Sequence, residues 1–172
     1  MNPFPEALLQ RLRQTGVVAG FSVEKAGDAV PLCRALLAGG IDVIELTLRS
    51  AAGMEAVRAI SAEVPEMMLG VGTILTPEQA FEVKAAGAAF GVAPGMNPRV
   101  VRAAQEVGLP FAPGICTPSD LEAAIELGCR FVRSQRTRCF DVLLAATAPR
   151  LLSQEVERAA AHDGAQPAGE RG

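Results

Sequence analysis

Lysine and histidine are scarce in this chain: of 16 Lys and Arg residues only Lys25 and Lys84 are lysines, and His162 is the sole histidine. A mechanism that needs a reactive amine therefore has two candidates, and a metal centre has no second imidazole to draw on. The four cysteines, Cys33, Cys116, Cys129 and Cys139, form no C-x-x-C pair. Their spacing argues against both a metal site and a disulfide framework, and a reducing cytoplasm is the natural compartment. Long apolar runs are missing too. Val17 to Val23 falls short of the about 20 residues a bilayer span needs, and no charged segment with a cleavage site precedes it, so neither membrane anchor nor signal peptide is expected. A formal charge of -3 gives nucleic acid no footing. No strand end carries G-x-G-x-x-G, which weakens a dinucleotide-binding reading.

What is present fits one globular domain: 172 residues, 49% apolar and 20% charged. Residues 1–16 hold an N-terminal helix, Pro3 to Gln14, with Leu8, Leu9 and Leu12 on one side and an end near Gly16, placed to plug or flank one end of the domain. Val17 to Val23 reads as a first buried strand. Asp28 opens a helix through Ala38 that Gly39 and Gly40 stop. A strand from Ile41 to Arg49, a helix from about Ala51 to Val64 and a third strand, Met67 to Ile74, follow. The chain then repeats itself. Gly-Thr-Ile-Leu-Thr-Pro at 72–77, Pro-Gly-Met-Asn-Pro at 94–98 and Pro-Gly-Ile-Cys-Thr-Pro at 113–118 each run from a strand end into a helix start. Each places Thr or Asn at the N-cap and Pro at the first helical position. The helices they open, about 77–86, 98–107 and 118–127, stop at Gly87, Gly108 and Gly128.

Repeated βα units with nearly continuous apolar strands form either a (β/α)8 barrel or an open doubly wound sheet. Either arrangement covers both faces of a parallel sheet, which makes the strand Ile41–Arg49 informative. Its alternation puts Ile44, Leu46 and Leu48 on one face and Val43, Glu45, Thr47 and Arg49 on the other. Glu45 and Arg49 are thus expected as a charged pair directed into the barrel, needing partners or a polar cavity. Thr73, Pro94 and Pro113 with Gly114 mark the ends of strands three, four and five. They gather at the rim where barrel enzymes keep their active sites. A sixth strand runs from Phe131 to about Gln135, whereas a complete barrel usually takes about 200 residues or more. The expected fold is α/β, of the TIM (β/α)8-barrel family but incomplete, with about six βα units over residues 17–138. Residues 139–162 carry apolar helical segments, Phe140 to Ala146 and Leu151 to Ala161, and 163–172 read as a disordered tail.

Four stretches carry a family resemblance: Gly-Gly-Ile-Asp-Val-Ile-Glu-Leu-Thr-Leu-Arg at 39–49, Gly-Val-Gly-Thr-Ile-Leu at 70–75, Ala-Pro-Gly at 93–95 and Pro-Gly-Ile-Cys-Thr-Pro-Ser-Asp at 113–120. Over about residues 8 to 132 the chain resembles the 2-keto-3-deoxy-6-phosphogluconate (KDPG) aldolases, which often also cleave 4-hydroxy-2-oxoglutarate (KHG). That resemblance implies a class I aldolase, a lyase that is commonly a homotrimer and needs no metal or other cofactor. It would make and break a carbon–carbon bond beside a 2-oxo acid through a lysine Schiff base. Its partners would be small molecules, pyruvate and phosphorylated sugar acids. Glu45 would match the proton shuttle of that scheme, a general acid/base acting through water. Arg49, Thr73 and the backbone around Pro94 would match the groups that seat the pyruvate carboxylate.

The pattern departs from the family after Phe131-Val132, where the Schiff-base lysine is expected and Arg133 stands instead. A guanidinium stays protonated in proteins and its lone pair is delocalised, so Arg133 is not expected to form an imine. Lys84 falls on the outside of a helix. Lys25 follows strand one at the proper rim and is the one candidate for a relocated nucleophile. Arginine density rises immediately after Val132, consistent with a frameshift, a truncation or a divergent gene end, which translation of the downstream DNA in the other frames tests. Three readings follow: a KDPG/KHG aldolase by descent, a catalytically silent relative that still binds 2-oxo acids or a truncated gene product, and metal-assisted pyruvate chemistry with Glu45 as base.

Overall fold

The computed structural model describes residues 4–134 and 143–145. In chain order these form α1 (Glu6–Thr15), β1 (Ala19–Phe21), a 3-10 turn (Ala26–Asp28), α2 (Ala29–Ala38), β2 (Val43–Thr47), α3 (Gly53–Glu63) and β3 (Met68–Gly72). The series continues with α4 (Pro77–Ala85), β4 (Phe90–Val92), α5 (Pro98–Glu106), β5 (Phe111–Ala112), β6 (Gly114–Ile115), α6 (Pro118–Glu126), β7 (Phe131–Ser134) and β8 (Leu143–Ala145).

The three repeated junctions fold as their sequences predict. The Thr76 and Thr117 side chains accept from the N–H of Gln79 and Asp120, whose own side chains accept in return from the cap N–H groups. Asn97 accepts from the Arg99 N–H, and all three helices begin on proline. Their exits at Gly87, Gly108 and Gly128 have φ of 94°, 67° and 73°, a left-handed turn that glycine adopts without penalty. Local chemistry alone therefore punctuates each βα unit.

Strands β1 to β5 form one parallel sheet in sequence order, and β6, β7 and β8 form a second. The break lies at Pro113. This residue was expected to end a strand; it interrupts one. Proline has no N–H for the ladder, yet the Pro113 carbonyl accepts from the Arg133 N–H at 2.8 Å, and pairing resumes with Gly114 opposite Arg133. Glycine is required there, because a Cβ on Gly114 would lie 2.2 Å from the Pro94 carbonyl oxygen.

Two further expectations are corrected. The first strand is short and partly exposed rather than buried, with Val17 and Val18 before it 54% and 42% exposed. The reason is position: among the described residues β1 has a ladder neighbour on one side only. Residues Leu143–Ala145, expected in a helix, pair antiparallel with Phe131–Arg133. An apolar segment beside an open strand edge satisfies its backbone and the edge at once, and that outweighs helical propensity. The remainder of 135–172, including the second expected helix and the tail, lies outside the described residues.

Side chains alternate between two apolar layers. Ile44, Leu46, Leu69, Val71 and Phe111 pack outward with residues of α2 to α5. Val43, Met68, Phe90, Val92, Ala112 and Phe131 point inward and meet Phe4, Leu8 and Leu9 of the N-terminal segment. The Phe4 ring centroid lies 4.6 Å from that of Phe131 and 6.4 Å from that of Phe90, so this segment plugs the end where the strands begin. Burial pushes the Cys33 and Cys129 thiols up to about 11, which leaves both protonated at neutral pH.

A polar clamp fixes the plug. Arg11 Nε donates to Asp42 at 2.7 Å, the Thr15 hydroxyl donates to the same carboxylate, and Arg11 also donates to the Glu66 carbonyl. The Thr15 hydrogen bond, opposed by partial burial and aided by Arg11, holds the Asp42 carboxyl below its usual range. A carboxylate with a lowered folded pKa contributes stability above its unfolded value of about 3.9 and loses it as pH falls through the folded one. Arg11→Ala is expected to cost about 1 kcal/mol at neutral pH, read by urea denaturation. The difference from wild type should shrink as pH falls below the ordinary carboxylate value of about 3.9 toward the lowered folded one, where the native Asp42 protonates.

Candidate active site

A cavity of about 690 Å³ opens inside the curve of the sheet. Its wall runs from the plug (Phe4, Leu12) past Gly20, Phe90 and Val92 to Ser22, Thr47 and Arg49 at the strand ends. Glu45 and Arg133 stand within it. Arg133 Nη1 donates to Glu45 Oε1 at 3.0 Å, with the two side chains 26% and 13% exposed. A carboxylate this far from water needs such a donor, since burying an unpaired charge is costly.

Strand alternation asks for a partner or a polar cavity for Glu45 without saying which residue serves, and the structure supplies Arg133. Arg49 follows Glu45 by four residues and lies beyond the last residue of β2. It lines the cavity mouth as an exposed side chain. Arg133 reaches Glu45 instead because β7 faces β2 across the curve. Glu45 of β2 and Arg49 just after it both line the cavity, as the alternation predicts, and the ion pair joins β2 to β7.

The room for Glu45 comes from glycines. In register, Gly20, Glu45, Gly70 and Phe90 stand on one level of the sheet. A Cβ on Gly72 would lie 2.1 Å from Glu45 Oε1, and one on Gly70 would lie 2.1 Å from the Phe90 Cζ. The Gly-x-Gly spacing thus serves two inward positions of β3, one roofed by an aromatic ring and one by the carboxylate. Sequence reading attached no role to either glycine, although their period of two carried the signal. Thr47 is placed on the inward face by alternation but with no role, and Ser22 carries no sequence signal. Thr47 Oγ1 donates to the Phe21 carbonyl at 3.3 Å and Ser50 Oγ to the Val23 carbonyl at 2.6 Å, which ties the end of β1 to β2.

Two expected site residues stand apart from this group. Thr73 follows β3 with φ of 63°, the one left-handed residue other than glycine among those described, and it does not line the cavity. Pro94 is exposed after β4, with its backbone pressed against Gly114. Lys25 enters the 3-10 turn as an exposed residue outside the cavity wall, and Lys84 lies in the last turn of α4. Among the described residues no group of three or more His, Cys, Asp or Glu is placed to hold a metal ion. The arrangement offers an anion one guanidinium at the mouth, Arg49, and carries one carboxylate inside that can exchange a proton.

Known proteins share this architecture. A family model described as KDPG and KHG aldolase matches residues 8–137. The chain is 43% identical over 126 residues to a 2-dehydro-3-deoxy-phosphogluconate aldolase of Treponema pallidum, covering 73% of this chain and 60% of the relative. It is 44% identical over 114 residues to the KHG/KDPG aldolase of Escherichia coli K12, covering 66% of this chain and 54% of the relative. It thus spans little more than half the length of these curated relatives. Among solved structures, the KDPG aldolase of Zymomonas mobilis ZM4 with 3-phosphoglycerate superposes with a TM-score of 0.68 at 29% identity, covering 82% of this chain and 65% of that one. The KDPG aldolase of Legionella pneumophila, with pyruvate captured as a covalent carbinolamine, gives 0.67 at 31% identity and covers 81% and 65%. The fold is accordingly that of the TIM-barrel aldolases, present here as a partial barrel. With family model, relatives and superposed structures in agreement, the chain belongs to the KDPG and KHG aldolase family.

Proposed function

We propose that the cavity is a 2-oxo-acid site. The reaction class is that of the family: cleavage of KDPG or KHG to pyruvate and an aldehyde. The observation that carries this reading is the Glu45–Arg133 pair inside a cavity with Arg49 at its mouth. Arg49 supplies a planar fork for the carboxylate and Glu45 a base close to the reacting carbons. Thr73 and the Pro94 backbone, outside the wall, would join the carboxylate seat only if the strand-end loops close over the ligand. Assembly as a homotrimer in the cytoplasm belongs to the same reading, and light scattering on the purified chain tests the oligomer.

A second reading is favoured by Arg133 itself. It stands where the resemblance expects the imine-forming lysine, so the chain would bind 2-oxo acids without a covalent step. Pyruvate titrated into the protein is expected to bind saturably, and Arg49→Ala to weaken it by roughly tenfold or more, the loss of one charge-assisted contact. Release of pyruvate from KDPG separates the readings: turnover supports the aldolase, and binding without turnover supports the silent relative. Failure of pyruvate to bind would remove both.

A further inference from the structure

We infer that this cavity takes 2-oxo acids that carry an apolar tail, the acid end at Arg49 and the tail directed at the plug; this rests on the cavity being a 2-oxo-acid site. The wall is divided by chemistry along its length. Arg49, Thr47 and Ser22 stand at the mouth, whereas Phe4, Leu12, Val17 and Val18 line the opposite end without a charged or hydroxyl group among them. Between the two ends Glu45 and Arg133, 3.0 Å apart, balance one another in formal charge. Arg49 therefore leaves the wall with one positive charge in excess. That charge draws an anion to the mouth.

Size and exposure define the tail. The volume of about 690 Å³ lies within the range of about 300–1,000 Å³ typical of pockets for drug-sized ligands, and the three carbons of pyruvate would leave most of it unfilled. Val17 and Val18 are 54% and 42% exposed, two of the six large apolar side chains in that state among the described residues. They are neighbours, and both belong to this wall. A hydrocarbon laid on them takes apolar surface out of water on both sides of the contact. A phosphate carried to the same end would shed its water with no cation to receive it.

Gly20 joins the two ends. It is in register with Glu45 and faces the cavity at the level of the ion pair, and a Cβ there would meet nothing within 4 Å. Its φ lies outside the left-handed region, so no backbone requirement accounts for glycine at this position. Alternation puts Val18 and Ser22 on the same face of the chain as Gly20. A tail lying along β1 thus runs from the Ser22 hydroxyl over bare backbone to the valine.

The test is calorimetric titration of the full chain with pyruvate, 2-oxohexanoate, 2-oxooctanoate and, as the acid without the oxo group, octanoate. Affinity is expected to rise by about two- to fourfold for each methylene added between pyruvate and 2-oxooctanoate, the range for a CH₂ partly or wholly removed from water. Octanoate should bind more weakly than 2-oxooctanoate. Arg49→Ala should weaken every member of the series alike, so the ratio of 2-oxooctanoate to pyruvate affinity stays. Gly20→Leu, which fills the passage, should bring that ratio toward one, and Val18→Ser, at an exposed position, should lower it independently. Pyruvate bound with no gain for the longer acids overturns the inference while leaving the 2-oxo-acid site standing. A ratio undiminished in both Gly20→Leu and Val18→Ser also overturns it, by placing the tail elsewhere, as does octanoate bound as tightly as 2-oxooctanoate, which would make this a fatty-acid site. Absence of pyruvate binding overturns the site and this inference together.

Discussion

Arg133→Lys is expected to form a stable pyruvate adduct with borohydride, where the wild type is expected to stay unmodified. The substitution puts a primary amine on β7 facing Glu45, at the position where Arg133 Nη1 now lies 3.0 Å from the carboxylate. An amine can attack C2 of pyruvate, lose water with help from Glu45 and give the imine that borohydride reduces. Arginine can do none of this at neutral pH. Intact-mass spectrometry with pyruvate and borohydride reads the outcome, with unmodified wild type as the reference. In the double variant with Glu45→Gln the adduct should form more slowly, by about 10² to 10⁴, because proton transfer then falls to water. No adduct in Arg133→Lys, in a protein that still binds pyruvate, would mean that the residue does not occupy the lysine's place.

Gly72→Ala is expected to destabilise the fold, and to do so through Glu45. The added methyl would sit 2.1 Å from Oε1, 2.8 Å from Cδ and 2.9 Å from Cγ of that side chain. Overpacking of this kind costs about 1 to 3 kcal/mol. If the clash is with the carboxylate, Glu45→Ala should relieve it, and the pair should fall short of additivity by about 0.5 kcal/mol or more. Gly70→Ala provides the contrast. Its methyl would meet the buried Phe90 ring at 2.1 Å, so Glu45→Ala should offer no relief. Urea denaturation of the five variants measures both cycles. Strict additivity of Gly72→Ala with Glu45→Ala would show that the glycine serves the backbone and not the carboxylate.

How far the sequence reaches differs from one feature to the next. Junctions at Thr76, Asn97 and Thr117 are legible because cap, proline and exit glycine are short-range chemistry. Glu45 is legible as an inward charge because strand alternation is also local. Its partner is not, because Arg133 lies 88 residues on and meets it only after the sheet curves. Thr47, Ser22 and the β3 glycines went unassigned for a similar reason: their roles depend on what the neighbouring strand places opposite. Thr73 is the reverse case, picked as a strand-end residue and by resemblance and found with an unusual backbone but off the cavity wall. The strand at Leu143–Ala145 shows tertiary pairing overriding local preference.

The brevity of the first strand has a consequence for how copies of this molecule meet. A long, flat strand at the margin of a sheet is a template on which other chains can aggregate. Here that margin is three residues with Gly20 at its centre, and a left-handed Gly16 turns the chain just before it. A foreign strand laid alongside could form only a few hydrogen bonds, with no side chain at the middle position to grip. Among the described residues this margin is thus too short and too bare to recruit a stranger.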